Sequence, residues 1–206
     1  MYNSGWVPSK IDGTEQEFIA PKNMGLPKEF SYKKYLPEVL NQGQGPICVP
    51  CSLSCNINWK LNLQHGKPKD NKIDLFDIFN SRTTDGEGMT FKEAFQYLID
   101  NGVDTKEGKF KITSYARVGN IQAVKFALLA NGPLVGVLPV YNSDSIDEFW
   151  NEKFGGFEGY HAVAIVGYTE QGLIIRNSWG EAYAEDGYAL LLNKDINLLR
   201  EVWTIY

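Results

Sequence analysis

The sequence is short of several things that would each have announced a class. It has 3 cysteines and 2 histidines in 206 residues. The cysteines are Cys48, Cys51 and Cys55, all within one short stretch. A secreted disulfide framework spreads an even number along the chain. The clustering points instead to the cytoplasm or another reducing compartment, and to local thiol chemistry. No apolar run approaches the roughly 18 residues of a membrane helix; the longest candidate, Ala162 to Tyr168, is strand-sized. The first residues lack the basic-then-apolar pattern of a secretory signal. Positive charge is not in excess either: 20 Lys and Arg stand against 25 Asp and Glu, a net charge of −5, with the basic residues scattered. That excludes the footprint of a nucleic-acid or anionic-membrane partner. There is no internal repeat, and three cysteines at helical spacing lack the fourth ligand of a structural zinc site. No metal or organic cofactor is implied.

What is present is an ordinary globular composition, 43% hydrophobic and 13% aromatic, long enough to bury a core. Residues 1–30 read as an irregular lead-in rich in Gly, Pro, Lys and Asn. From Cys48 the pattern turns helical, with Val49, Leu53, Ile57 and Leu61 recurring at fours. Pro50 is tolerated in a first turn, whose N–H has no partner anyway; Gly66 and Pro68 stop the helix. A short helix follows over Leu75 to Phe79. Thr90 and Glu93 form a capping box for a third, ending at Asn101-Gly102. Asn120 caps a fourth, which ends at Asn131-Gly132-Pro133. Strands then follow at Leu134–Leu138, Tyr160–Tyr168, Leu173–Asn177, Gly187–Leu192 and Glu201–Ile205. Helices first and antiparallel strands second predict an α+β fold, with a helical lobe over 31–115 and a β-sheet lobe over 116–206.

A cysteine at a helix N-terminus is where a thiolate is favoured, because unpaired N–H groups and the helix dipole stabilise the anion. Cys48 holds that position. A thiol nucleophile also needs a base. His65 sits at the far end of the same helix, roughly 25 Å away at about 1.5 Å per residue. His161 opens an apolar strand, and the turn between Tyr168 and Gly172 makes a hairpin. If Tyr168 faces Gly172, Val163 faces Asn177, which becomes a diagonal neighbour of His161 and can orient its ring. Trp179 leans to the same face and can shield that hydrogen bond.

These residues resemble a family. Asn41-Gln42-Gly43-Gln44-Gly45-Pro46-Ile47-Cys48 is similar to the nucleophile segment of papain-like cysteine peptidases. Gly159-Tyr160-His161-Ala162-Val163 and Ile174 to Gly180, with its Asn-Ser-Trp-Gly run, resemble their histidine and asparagine segments. The resemblance implies a two-lobed fold with a cleft between helix and sheet, and a protein or peptide substrate. It implies Cys48 as nucleophile in a thiolate–imidazolium pair with His161, which Asn177 orients. Gln42 and the Cys48 N–H would form the oxyanion hole, and Gly88 would pair with substrate backbone, though 85–88 also reads as a turn before the Thr90 helix.

The departures matter too. The family's upstream disulfide cysteine and the tryptophan after the nucleophile are absent, Val49 standing in the latter's place. His161 and Asn177 follow Cys48 by 113 and 129 residues, against roughly 130 to 150 in papain and cathepsins. The chain looks like a trimmed, disulfide-free relative of bacterial or viral type. No pro-domain of the usual length precedes Cys48, so any restraint falls to residues 1–30 or a partner. Two other classes remain open: an inactive papain-like scaffold that binds protein, and a thiol–disulfide oxidoreductase using Cys48 and Cys51. Within the peptidase reading, Cys51 could act as a resolving thiol toward Cys48. The sequence leaves the oligomeric state and the substrate's side-chain preference open.

Overall fold

The computed structural model describes residues 5–22, 24–65, 69–141 and 148–206. In chain order the elements are β1 (Phe30–Ser31), α1 (Cys48–His65), α2 (Leu75–Asn80), α3 (Phe91–Asp100), β2 (Val103–Thr105), β3 (Gly108–Phe110), β4 (Tyr115–Arg117), α4 (Ile121–Asn131), β5 (Leu134–Tyr141), β6 (Phe157–Tyr168), β7 (Gly172–Arg176), β8 (Tyr188–Leu192) and β9 (Arg200–Ile205). The four helices start where the sequence places them. Gly66 and Pro68, expected to stop α1, lie outside the described residues. Six strands form one antiparallel sheet in the order β4-β9-β5-β6-β7-β8, and β1 adds to β6. The β2–β3 hairpin stands apart.

Strand β6 is the spine of the sheet, and its two faces bury different things. Ala162, Ala164 and Val166 turn toward α1, in clusters holding Val49, Leu53, Ile57 and Cys55. Val163 and Ile165 turn the other way, toward Leu128 of α4 and Leu173 and Ile175 of β7. This is the period-2 division of a strand covered on both faces. Small side chains at Ala162 and Ala164 let α1 lie close. The helix is buried nearly all round, so its polar residues are bonded inward: Asn56 Nδ2 donates to Pro133 O, and Asn58 Oδ1 accepts from Asn71 N at 2.9 Å.

The β6–β7 hairpin differs from expectation at its turn. Tyr168 pairs with Leu173 rather than Gly172, but a bulge between Ile165 and Gly167 restores the register, so Ala164 faces Arg176. One step on, Asn177 comes level with Val163, as the simpler register had it. Strand β5 runs through Pro139 to Tyr141, past the expected end at Leu138. The missing Pro139 N–H is tolerated because β9 pairs with β5 only at Val135 and Val137, leaving that edge open. The oxidoreductase alternative needed a βαβ unit around Cys48. Instead β1 precedes α1 and pairs antiparallel with β6.

The capping box of α3 does more than start a helix. The Glu93 carboxylate takes hydrogen bonds from the N–H groups of Thr83, Thr84 and Thr90 and from their hydroxyls. It thereby fixes the segment leading to Gly88 and Met89. Burial pushes this carboxyl's pKa up, but the bonds from Thr84, Thr90 and Thr83 outweigh it and hold it at about 2. The depressed pKa means stability that is present above about 4.5 and lost as pH falls through about 2. Thr90→Ala should cost about 1 kcal/mol in denaturant unfolding. Glu93→Gln should lack the acid-dependent loss seen in the parent chain over that window.

Candidate active site

Burial along β6 begins at His161; Phe157 and Glu158 before it are exposed. The ring is 1% exposed, stacked on Trp179 at 4.8 Å between centroids and met edge-on by Phe149 at 5.9 Å. His161 Nε2 lies 2.8 Å from Asn177 Oδ1. The same Oδ1 accepts the Ser178 N–H at 2.7 Å. An atom that accepts there is the amide oxygen, so the ring nitrogen facing it must be the donor. His161 is therefore the Nε2–H tautomer when neutral, and Nδ1 is its basic nitrogen. Burial pulls the imidazole pKa down to about 4, and the Asn177 bond only partly opposes it.

Cys48 is the first residue of α1 and 0% exposed. Its neighbours include the backbone N–H groups of Ala162, next in chain to His161, and of Gly5. Burial raises the thiol to about 11, with those N–H groups pulling the other way. The helix-terminus argument predicted a lowered pKa. Here desolvation opposes that effect, and the same burial disfavours charge on both the thiol and the imidazole. Cys51 and Cys55 are also free, buried and raised by desolvation, Cys55 to about 11.

Gln42 reaches the site by a second route. Its backbone N–H donates to Ser178 O at 2.8 Å, and its side-chain carbonyl accepts the Ser178 hydroxyl. Asn41 bridges Trp179, and Gly180 N donates to Leu40 O at 2.9 Å. The loop before α1 and the loop after β7 are thus zipped together, fixing Gln42 against Asn177. The Gln42 amide donates to Gly45 O at 3.0 Å and has a second hydrogen to offer. Gly88 lies against Gly5 and Val7: a Cβ there would come within 2.6 Å of Val7 Cγ2. Among the described residues, no three His, Cys, Asp or Glu side chains gather as a metal site would need, and no described helix is long and apolar enough to cross a membrane.

The chain also resembles known proteins. The model of the papain family of cysteine proteases matches residues 106–201, the stretch that carries His161 and Asn177. Mouse cathepsin K is 30% identical over 93% of this chain, which spans 68% of that protein. A Caenorhabditis elegans cathepsin L-like protein is 25% identical, and the chain spans 60% of it. The chain belongs to the papain family of cysteine proteases. Among solved structures, the cysteine protease xylellain from Xylella fastidiosa shares the fold with a TM-score of 0.82 at 23% identity, over 98% of this chain and 94% of that one. Procathepsin B from Trypanosoma congolense gives 0.79 at 16% identity, over 100% and 87%.

Three features of this papain-family site were not picked out from the sequence. Phe149 walls the imidazole, yet the stretch around it carries no period. Ser178 clamps Gln42, although its run had been noted only for Asn177 and Trp179. Gly5 and Trp6 reach the site from over 40 residues upstream of Cys48, in a lead-in that carries no period. The geometry also sets a titration. The His161 signal, identified by its loss in His161→Ala, should stay the neutral Nε2–H tautomer in NMR from about pH 8 to about pH 5, with protonation only near pH 4. Since an unfolded imidazole titrates near 6.5, stability should fall as pH drops from about 6.5 toward 4.

Proposed function

We propose that this cysteine protease hydrolyses peptide bonds with Cys48 as nucleophile, His161 as proton carrier, Asn177 as orienting residue and Gln42 as oxyanion donor. The observation that carries the reading is the fixed tautomer: with Nε2–H committed to Asn177, only Nδ1 remains to take a proton from the thiol. Transfer from Cys48 to Nδ1 gives the thiolate, which attacks the substrate carbonyl carbon. The developing oxyanion is met by the Cys48 N–H, free at a helix start, and by the uncommitted Gln42 amide hydrogen. The imidazolium then gives its proton to the departing amine, the C–N bond breaks, and an acyl-enzyme remains. Water attacks that thioester with His161 as base, releasing the acid and restoring the thiol. Trp179 and Phe149 keep water off the Asn177 bond. Gly88 and Met89 present a backbone edge of the kind substrate backbone would pair with, and in this structure Gly5 and Val7 pair there. No cofactor enters any step. Three free cysteines suit a reducing compartment.

The test is hydrolysis of a fluorogenic peptide library. Cys48→Ala should abolish turnover, and Gln42→Ala should lower kcat by roughly 10²–10³ with little change in KM. Asn177→Ala should reduce kcat and shift its pH profile, because the ring loses its tautomer partner. Turnover that survives Cys48→Ala would overturn the reading, as would a Cys48→Ala loss that His161→Ala does not share.

A further inference from the structure

Arg176 ends β7, and among the described residues it is the one Lys, Arg, Asp or Glu that is buried, at 5% exposed. One guanidinium nitrogen donates to the Tyr188 hydroxyl at 2.5 Å and another to Glu38 O at 2.7 Å, and the group lies 5.5 Å from the centre of the Tyr188 ring. Those partners are all neutral. Among the described residues no carboxylate forms an ion pair with Arg176, although the more exposed Lys69, Lys72 and Lys92 each have one. A buried charge is ordinarily paired, because taking it out of water without a counter-charge is costly. Arg176 also borders a cavity of about 430 Å³ between the 37–41 loop, α1 and the strands β6 and β7. Ser54 and Cys55 of α1 and Ala164 of β6 line it with small side chains, which leaves space beside the guanidinium.

We propose that this cavity binds the phosphate or carboxylate group of a small molecule, held by the Arg176 guanidinium with Lys69 and Lys72 at the mouth. The inference goes beyond the catalytic reading and does not rest on it: neither Cys48 nor His161 lines the cavity. A guanidinium has five N–H donors in a planar fork, so hydrogens remain after Tyr188 and Glu38 are served. That fork matches the paired oxygens of a phosphate or carboxylate, and the charge strengthens each bond. The acids on the wall do not fill the place. Asp70 is committed to Lys72, accepting its backbone N–H at 2.9 Å and its Nζ at 2.6 Å. Glu38 is exposed and gives Arg176 only its main-chain oxygen. Lys69 pairs outward with Glu107 at 2.6 Å, so the uncompensated charge is the one inside. A metal cation is repelled by the same guanidinium, and the volume suits a small molecule. Asn177 borders the cavity too, which puts a bound anion against the strand end that carries the orienting residue.

Equilibrium dialysis of the full chain against radiolabelled inorganic phosphate, at an ionic strength held constant with chloride, tests the site. The parent chain should take up a single phosphate saturably, with half-saturation below about 10 mM. Arg176→Gln removes the charge and keeps a polar amide, and should bind at least about tenfold more weakly. Lys69→Ala combined with Lys72→Ala should weaken binding by less, and the loss should shrink as salt rises, because the mouth is exposed and screened. Succinate added as competitor separates the two oxyanion classes: displacement of phosphate assigns a carboxylate ligand, and no displacement a phosphate ligand. A measurement on the parent chain alone covers the case in which Arg176→Gln fails to fold. The Arg176 Nε–H signal, assigned through bonds by NMR, should move with added phosphate along the dialysis curve. Absence of saturable binding would overturn the site. So would binding that Arg176→Gln leaves undiminished, or that leaves the Arg176 signal in place.

Discussion

The packing of α1 on β6 is the constraint on which the rest depends. Ala162 and Ala164 are small enough for the helix to lie close over the strand, with Val49, Leu53 and Cys55 filling the space between. Because Cys48 is the first residue of that helix and His161 the first buried residue of that strand, one apolar contact sets both ends of the chemistry. The zipper between 40–42 and 178–180 then fixes the remaining groups. Its bonds are mostly main chain to main chain, so they place Gln42 and Asn177 with little dependence on side-chain identity.

Much of this was legible in the sequence, for local reasons. Helix starts show because caps are short-range: Thr90 with Glu93, and Asn120 accepting from Ala123 N. The His161–Asn177 neighbourhood was legible from hairpin arithmetic, even though the register at the turn was off by one. The bulge before Gly167 absorbs that difference, and no local pattern announces a bulge. The short strands β1, β2, β3 and β4 escaped because two or three residues cannot display an alternation. Strand β5 runs three residues past its expected end at Leu138, through a proline that a strand accepts where β9 does not pair with it. The pairing of Gly5 to Val7 with Met89 escaped for a different reason. Its contacts join residues about 80 apart in sequence, and long-range pairing leaves no period to read.

The electrostatics invert one expectation and explain it. A helix N-terminus and two amide N–H groups favour a thiolate at Cys48, but a fully buried sulfur is dominated by desolvation. The same burial keeps His161 from carrying charge. Those two shifts oppose an ion pair for a single cause, lack of water. The His161 tautomer, the Ser178–Gln42 clamp and the aromatic walls are all in place around the buried Cys48 and His161.

That account is tested most directly by following thiolate absorbance in the ultraviolet against pH, from about pH 4 to about pH 10, in the parent chain and in His161→Ala, each against its Cys48→Ala control. The parent chain should show no Cys48 thiolate at neutral pH. Its Cys48 transition should lie above the roughly 8.5 of a free thiol, because the sulfur is buried. A Cys48 thiolate already present at neutral pH in the parent chain, and lost in His161→Ala, would contradict the dominance of desolvation at this site.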